Sequence, residues 1–199
     1  MRYTPKPCDG RAHKIMWLMI AAGALCFMLS SAFAGGRAVL QLGATVLIGG
    51  GIYIGVRYIM TEFTYEIVPR DTALPQGEAA PAFAGNTADL PASMLDFVVR
   101  KQNSRRGALM DACMNLGELR YFAPLPTEGG REREPYKKFP NLKVFVYTPS
   151  IVPQAQYIAV FVDSAQNAVG LILEPDEAFS AVLSRAVHEN GGENLSTEI

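Results

Sequence analysis

Two long apolar stretches stand close together near the N-terminus of this 199-residue chain. Residues 15–34 read IMWLMIAAGALCFMLSSAFA and residues 38–56 read AVLQLGATVLIGGGIYIGV, with no charged side chain in either. A helix needs about 20 predominantly apolar residues to cross a hydrocarbon core of roughly 30 Å. Only Gly35, Gly36 and Arg37 separate the two stretches, so two spans must run antiparallel. The sequence therefore predicts an integral membrane protein with a transmembrane hairpin over residues 15–60.

Basic residues indicate how such a hairpin is oriented. Four precede the first span, one lies in the connection and two closely follow the second: Arg2, Lys6, Arg11, Lys14, Arg37, Arg57 and Arg70. Cytoplasmic flanks of membrane helices carry an excess of Lys and Arg. We therefore expect a multi-pass protein of the cell membrane with both termini in the cytoplasm, residues 1–14 forming the N-terminal tail.

The first stretch has a competing interpretation as a cleavable signal peptide, since a basic region precedes it and Ala32-Phe33-Ala34 resembles a cleavage site. Its apolar run is longer than the core of a usual signal peptide, and a second span follows at once. These features favour an uncleaved hairpin.

In the second span, Gly51 and Gly55 have the spacing that lets helix backbones approach closely. We expect them to pack within the hairpin, with a dimer interface as the alternative.

Beyond residue 60 the pattern changes to the alternation of apolar and polar residues that is typical of half-buried strands. Seven segments show it or a short apolar run: residues 62–68, 95–99, 108–114, 118–123, 142–147, 157–162 and 168–173. The last segment before the polar tail (190–199) has a helical period, with Phe179, Val182, Leu183 and Ala186 on one face. The sequence predicts an α+β domain over residues 61–189, made of antiparallel strands and a C-terminal amphipathic helix.

Two segments of this domain lack any period. Residues 70–93 are rich in Pro, Ala and Gly and predict a flexible, dispensable insertion. Residues 124–140 mix basic and acidic side chains and predict a second, solvated loop.

The order of short motifs along the chain resembles a family of small bacterial membrane proteins of unknown function. The motifs are residues 58–68 (YIMTEFTYEIV), Leu95-Asp96-Phe97 with the basic turn 100–106, Ala123-Pro124, and residues 174–177 (EPDE) at the start of the helix. The resemblance implies two N-terminal spans and a cytoplasmic pleckstrin-homology-like domain, an antiparallel barrel or sandwich with a C-terminal amphipathic helix. It implies no known activity.

Catalytic and cofactor chemistry has little support in the sequence. Cys113 with His188 as base is the one candidate nucleophile, but Cys113 falls in a predicted strand, where we expect a buried structural cysteine. His13 and His188 lie far apart and offer no metal-ligand spacing. A mildly acidic domain argues against nucleic acid. We therefore expect no catalytic residue, no metal and no cofactor.

One basic cluster is a candidate contact with the membrane surface: Arg100, Lys101, Arg105 and Arg106. If the first strand leaves the membrane and the second returns antiparallel to it, the turn after the second strand faces the bilayer. An anionic leaflet contributes roughly 1 kcal/mol per basic residue held close to it. An ordinary solvated turn is the alternative.

These observations favour a membrane-anchored, non-enzymatic interaction module, which docks on an unknown protein partner or on the anionic leaflet. A second hypothesis is an accessory structural subunit of a larger membrane complex, with the hairpin packed on partner helices. A hydrolase using Cys113 is a third and much weaker one.

Overall fold

A computed structural model of the chain describes residues 1–6, 10–32, 34–70, 90–103, 107–125, 134–139, 141–153 and 155–194. Two N-terminal helices precede a mixed α+β domain that contains two sheets. The helices are α1 (Arg11–Ser30), α2 (Arg37–Ile54), α3 (Glu134–Lys138) and α4 (Glu177–Glu189). The strands are β1 (Arg2–Tyr3), β2 (Thr61–Pro69), β3 (Leu95–Asn103), β4 (Gly107–Asn115), β5 (Leu119–Leu125), β6 (Lys143–Val146), β7 (Gln156–Val162), β8 (Ala168–Leu173) and β9 (Glu193–Asn194).

Helices α1 and α2 form the predicted antiparallel hairpin. A π-helical segment, Gly55–Ile59, continues α2, so the two helices contain 20 and 23 residues and are long and apolar enough to cross a membrane. Helix α1 begins four residues before the predicted span, because the Lys14 amide donates to the Gly10 carbonyl at 3.2 Å and extends the helix into the basic flank. It ends at Ser30, whose hydroxyl donates back to the Phe27 carbonyl at 2.6 Å.

Small residues bring the two helices into close contact. Ala44 is 1% exposed and faces α1, where Gly23 approaches its carbonyl. A methyl group on Gly23 would come within 2.7 Å of the Ile48 side chain. The helix backbones therefore approach one another too closely for a larger side chain at this position.

The first sheet has the order β1-β2-β3-β4, and all its pairs are antiparallel. Thr61 lies opposite Asn103 and Pro69 lies opposite Leu95, so β3 returns to the point where β2 leaves the hairpin. In β1, Arg2 lies opposite Glu66. The predicted N-terminal tail therefore contributes a short edge strand to the domain.

The second sheet has the order β6-β8-β7-β5-β9. Each of the seven segments predicted as strands forms one, β2 to β8, but the expectation of a wholly antiparallel domain is wrong. Strand β6 runs parallel to β8, and β5 runs parallel to β9. Helix α3 lies in the segment predicted as a loop. Within the part of the chain that the structure describes, the strands form two separate sheets and no closed barrel.

The main core lies where both sheets meet α4. Phe97 contacts Phe161 and Phe179 at ring-centroid distances of 6.1 and 6.0 Å. Asp176 caps α4 by accepting a hydrogen bond from the Phe179 amide at 2.8 Å, and the helix buries Phe179 and Leu183. After α4, Gly191 adopts a φ of 66°, a left-handed conformation that suits glycine at a helix end.

The predicted insertion falls largely on residues 71–89, which lie outside the described residues. Its C-terminal end is part of the fold, contrary to the prediction for 70–93. Ala92 is 3% exposed, and its amide donates to Glu189 Oε2 at 3.0 Å. A Pro- and Ala-rich composition therefore did not reveal that this end packs beside α4.

Candidate functional site

The junction between α2 and the domain is organised by Arg57, in the π-helical segment. Its Nη2 donates to the Val146 carbonyl at 2.9 Å, and its Nη1 donates to the Thr148 carbonyl at 3.4 Å. The guanidinium carbon also lies 4.9 Å from the centroid of the Phe63 ring. A π-helical turn rotates side chains relative to a regular helix and is frequent at functional positions. One side chain thus joins the end of α2 to both sheets.

A buried polar cluster lies beside this junction. The Tyr65 hydroxyl donates to the Tyr147 carbonyl at 2.7 Å and accepts from the Glu174 amide at 3.3 Å. The Ser150 hydroxyl donates to Glu174 Oε2 at 3.0 Å. Burial raises the pKa of the Glu174 carboxyl, and the hydrogen bonds from Ser150 oppose that shift. The loop after β6 is therefore held against the end of β8 by a carboxyl that resists ionisation.

The domain has two ends, which these contacts distinguish. We call the end that carries Thr61, Asn103, Val146 and Glu174 the hairpin end. Thr61 comes two residues after the π-helical segment that continues α2, and the other three lie beside it or beside the Arg57 junction. At the opposite end, the Arg70 amide donates to the Met94 carbonyl at 2.9 Å. The predicted direction of β2 and β3 agrees with this arrangement.

The structure corrects the prediction for Arg100. Strand β3 continues to Asn103, so Arg100 lies within a strand and not in the turn. Its side chain is 1% exposed, and its Nε donates to Glu66 Oε2 at 2.8 Å. A buried, paired guanidinium cannot contact a membrane surface. The alternation of the strand directs Arg100 to the face that carries Glu66, away from the core face of Phe97 and Val99.

Glu66 and Arg100 belong to a small buried charge cluster. Glu66 is 3% exposed, and its Oε1 also lies 3.3 Å from Arg2 Nε of β1. Among the described residues, Nη1 and Nη2 of Arg100 have no hydrogen-bond partner. Thr64, opposite Arg100, shares a 3.1 Å hydrogen bond with Thr4. The cluster ties β1 to the centre of the first sheet.

Of the other three members of the predicted basic cluster, the structure describes one. Lys101 is half-buried in β3 and lies opposite Phe63. Arg105 and Arg106 lie outside the described residues. The described residues on either side of them, Asn103 and Gly107, pair with each other at the hairpin end.

The two predicted glycines face the other helix of the same hairpin. A methyl group on Gly51 would come within 2.9 Å of Ile20 Cγ1, and one on Gly55 within 2.9 Å of Met16 Sδ. Both contacts are made to α1. The pair therefore packs inside the hairpin, which leaves no need for a dimer to explain the spacing.

Cys113 lies on edge strand β4 and is exposed, so the expectation of a buried cysteine is wrong. Partial burial and the nearby Asp96 carboxylate raise the pKa of its thiol. A nucleophilic cysteine needs a lowered pKa. His188 lies exposed in the last turn of α4. Arg70 acts in the opposite direction, but among the described residues the influences that raise the pKa of the thiol outweigh it.

The sequence did not reveal that Arg57 joins the hairpin to the domain, because a basic residue just after an apolar span is already explained as a flank of a membrane helix. The π-helical segment and the partner carbonyls arise only in the fold.

Comparison with known protein families, with curated proteins and with solved structures found no match to this chain. The resemblance to a pleckstrin-homology-like family therefore stays a prediction.

Proposed function

We propose that the chain is a membrane-anchored, non-enzymatic interaction module. Helices α1 and α2 span the cell membrane, and the domain is held at the cytoplasmic surface, where it docks on a protein partner or on the anionic leaflet. For the domain we propose a pleckstrin-homology-like arrangement, supported by the order of β2 to β8 followed by α4.

One observation carries this proposal. Strand β1 precedes α1 and pairs with β2, which follows α2. If the hairpin spans a bilayer, the segments on either side of it must therefore lie on the same side of the membrane. The Arg57 contacts to Val146 and Thr148 further hold the domain against the end of α2, which supports a position of the domain close to the proposed membrane surface. The basic flanks favour the cytoplasmic side.

The topology is tested by reporters fused after Ile199. A phosphatase that is active only outside the cytoplasm should be silent, whereas a fluorescent protein that folds in the cytoplasm should be bright. The same pair fused before Met1 should give the same result. Strong phosphatase activity at either position would contradict the proposed topology.

An accessory subunit of a larger membrane complex is the second candidate. Many apolar side chains of α1 and α2 are exposed, among them Leu18, Met28 and Val39, and either lipid or partner helices could cover them. Crosslinking in native membranes followed by purification separates the two candidates. An accessory subunit should recover one membrane protein in stoichiometric amount, whereas a surface-docking module should not.

A further inference from the structure

Exposed apolar side chains of the domain are concentrated toward the hairpin end. Outside α1, α2 and the π-helical segment, eight large apolar side chains of the described residues are exposed. Six of them lie toward that end, and we call these six the apolar rim: Met60, Leu109, Met110, Phe145, Val146 and Val152. Their exposed fractions range from 39% to 56%.

Strand register and hydrogen bonds place the rim. Leu109 lies opposite Lys101, which lies opposite Phe63, two residues from the start of β2. The Val146 carbonyl accepts from Arg57 itself. Val152 follows Ser150, which is bonded to Glu174 at the end of β8.

Two edge strands meet in the rim. Strand β4 is at the edge of the first sheet and β6 is at the edge of the second. Tyr147, directly after β6, hydrogen-bonds to Asp111 of β4, and burial together with this contact raises the pKa of Tyr147 to about 12. Leu109 and Met110 of β4 therefore lie near Phe145 and Val146 of β6.

Among the described residues around the rim, the charges do not favour one sign. Lys143 at the start of β6 is exposed and Lys101 is half-buried, whereas Glu62 and Asp111 are exposed. Arg57 is already engaged by two carbonyls. The described part of this surface therefore offers apolar area and no net positive charge.

Resting on the proposed membrane anchoring, we propose that the apolar rim is seated in the headgroup and acyl boundary of the bilayer. Arg57 belongs to the last turn of the α2 span, so the rim lies level with the point where that helix leaves the hydrocarbon. Its apolar surface continues the apolar surface of the span, and the apolar face of an amphipathic interfacial helix enters the same boundary by about 5–10 Å. Neutral lipid is sufficient for this contact.

Tryptophan fluorescence of the full chain in lipid vesicles tests the proposal. Trp17 is the only tryptophan and lies in α1, so in the unmodified chain it reports insertion of the hairpin. In a Trp17→Phe background, Phe145→Trp and Val152→Trp report the rim. Met94→Trp is the matched control, because Met94 is 57% exposed but lies at the opposite end of the domain.

In neutral vesicles we expect lipids labelled with a quencher near the headgroup to quench the Phe145→Trp and Val152→Trp variants severalfold more than the Met94→Trp variant. Lipids labelled near the bilayer centre should quench the two rim variants less. Anionic lipid should change neither result. Two rim positions are used so that a folding defect in one variant leaves the other informative.

The outcomes separate this inference from the anchoring on which it rests. If Trp17 is quenched in the unmodified chain while both rim variants behave like the Met94→Trp control, the hairpin is inserted and the inference about the rim is wrong. The inference also fails if the rim tryptophans are shielded from solvent in native membranes but are not quenched by labelled lipid in vesicles. A protein partner, and not lipid, then covers β4 and β6. If Trp17 itself is not quenched, the proposed anchoring fails.

Discussion

At the scale of single residues, two buried carboxylates should affect the stability of this fold. Glu66 is paired with Arg100 and Arg2, whereas Glu174 has hydroxyl and amide donors from Ser150. Removing one partner of a buried ion pair leaves an uncompensated charge, and burial without a cation disfavours ionisation. The two carboxylates should therefore respond to different perturbations, one to loss of its partner and the other to pH.

Arg100→Met should destabilise the domain by about 3 kcal/mol, at the lower end of the range for broken buried ion pairs because Arg2 remains beside Glu66. Adding Glu66→Leu should recover most of that loss, since an apolar pair replaces the buried charges. Denaturant unfolding in detergent measures both. Lys101→Met on the same strand is the control, and we expect a change within about 0.5 kcal/mol. A double variant as unstable as Arg100→Met would contradict this account.

Glu174→Gln should change how stability depends on pH. The folded-state pKa of Glu174 lies above its ordinary value of 4.5, so the folded chain binds the proton more tightly than the unfolded chain. Stability should therefore fall as pH rises from 4.5 through the raised pKa, and the loss should be complete above it. The melting temperature of the unmodified chain should fall relative to Glu174→Gln over this window. If the melting temperatures of the unmodified chain and of Glu174→Gln change with pH in the same way, the raised pKa is excluded.

At the scale of elements, the hairpin depends on where its glycines face. Gly23, Gly51 and Gly55 lie in the contact between α1 and α2, whereas a methyl group on Gly43 would meet nothing within 4 Å. The same type of residue on one helix thus has two different environments. Substitution at these positions separates packing in the hairpin from the general preference of a helix for larger residues.

Gly51→Leu should separate or shift the helices, at a cost of about 1–3 kcal/mol from overpacking. Gly43→Leu on the same helix should leave the hairpin intact. The distance between spin labels attached at the exposed positions Leu25 on α1 and Val46 on α2 would measure helix proximity in each background. A loss of dimer without any change in this distance would assign Gly51 to an interface between copies instead.

At the scale of the whole molecule, hairpin and domain behave as joined parts. Strand β1, which precedes α1, pairs with β2 of the domain, and Arg57, which follows α2, donates to the Val146 carbonyl of the domain. A hydrogen bond that involves a charged group contributes about 1.5–3 kcal/mol. The junction is therefore strong enough to hold the domain against the end of α2.

Arg57→Ala should loosen the domain from the end of α2 and make the segment after β6 more sensitive to protease. Arg57→Lys should recover this only in part, because an ammonium group cannot reproduce the planar fork that reaches both carbonyls. Arg70→Ala, at the opposite end of β2, is the control and should have little effect. Equal protease sensitivity of all three variants would show that Arg57 does not hold the junction.

Local pattern was sufficient for the longer elements, whereas the short elements β1, α3 and β9 were not predicted. Apolar length predicted α1 and α2, alternation predicted β2 to β8, and a helical period predicted α4. Each of these depends on residues that are neighbours along the chain, because a helix or strand forms from short-range backbone geometry and needs one face to bury. The direction of β2 and β3, and hence the end of the domain that faces the hairpin, followed from the same local information.

Tertiary structure decided which side chains are accessible and which distant residues meet. It buried Arg100 against Glu66, exposed Cys113 on an edge strand, packed Ala92 beside α4 and aligned β6 parallel to β8. It also directed Arg57 to two carbonyls that lie far from it in the sequence, one in the last residue of β6 and one just after that strand. These contacts depend on sheet order and on which strands lie at an edge. Both follow from how the sheets and α4 pack together, and no window of adjacent residues contains that information.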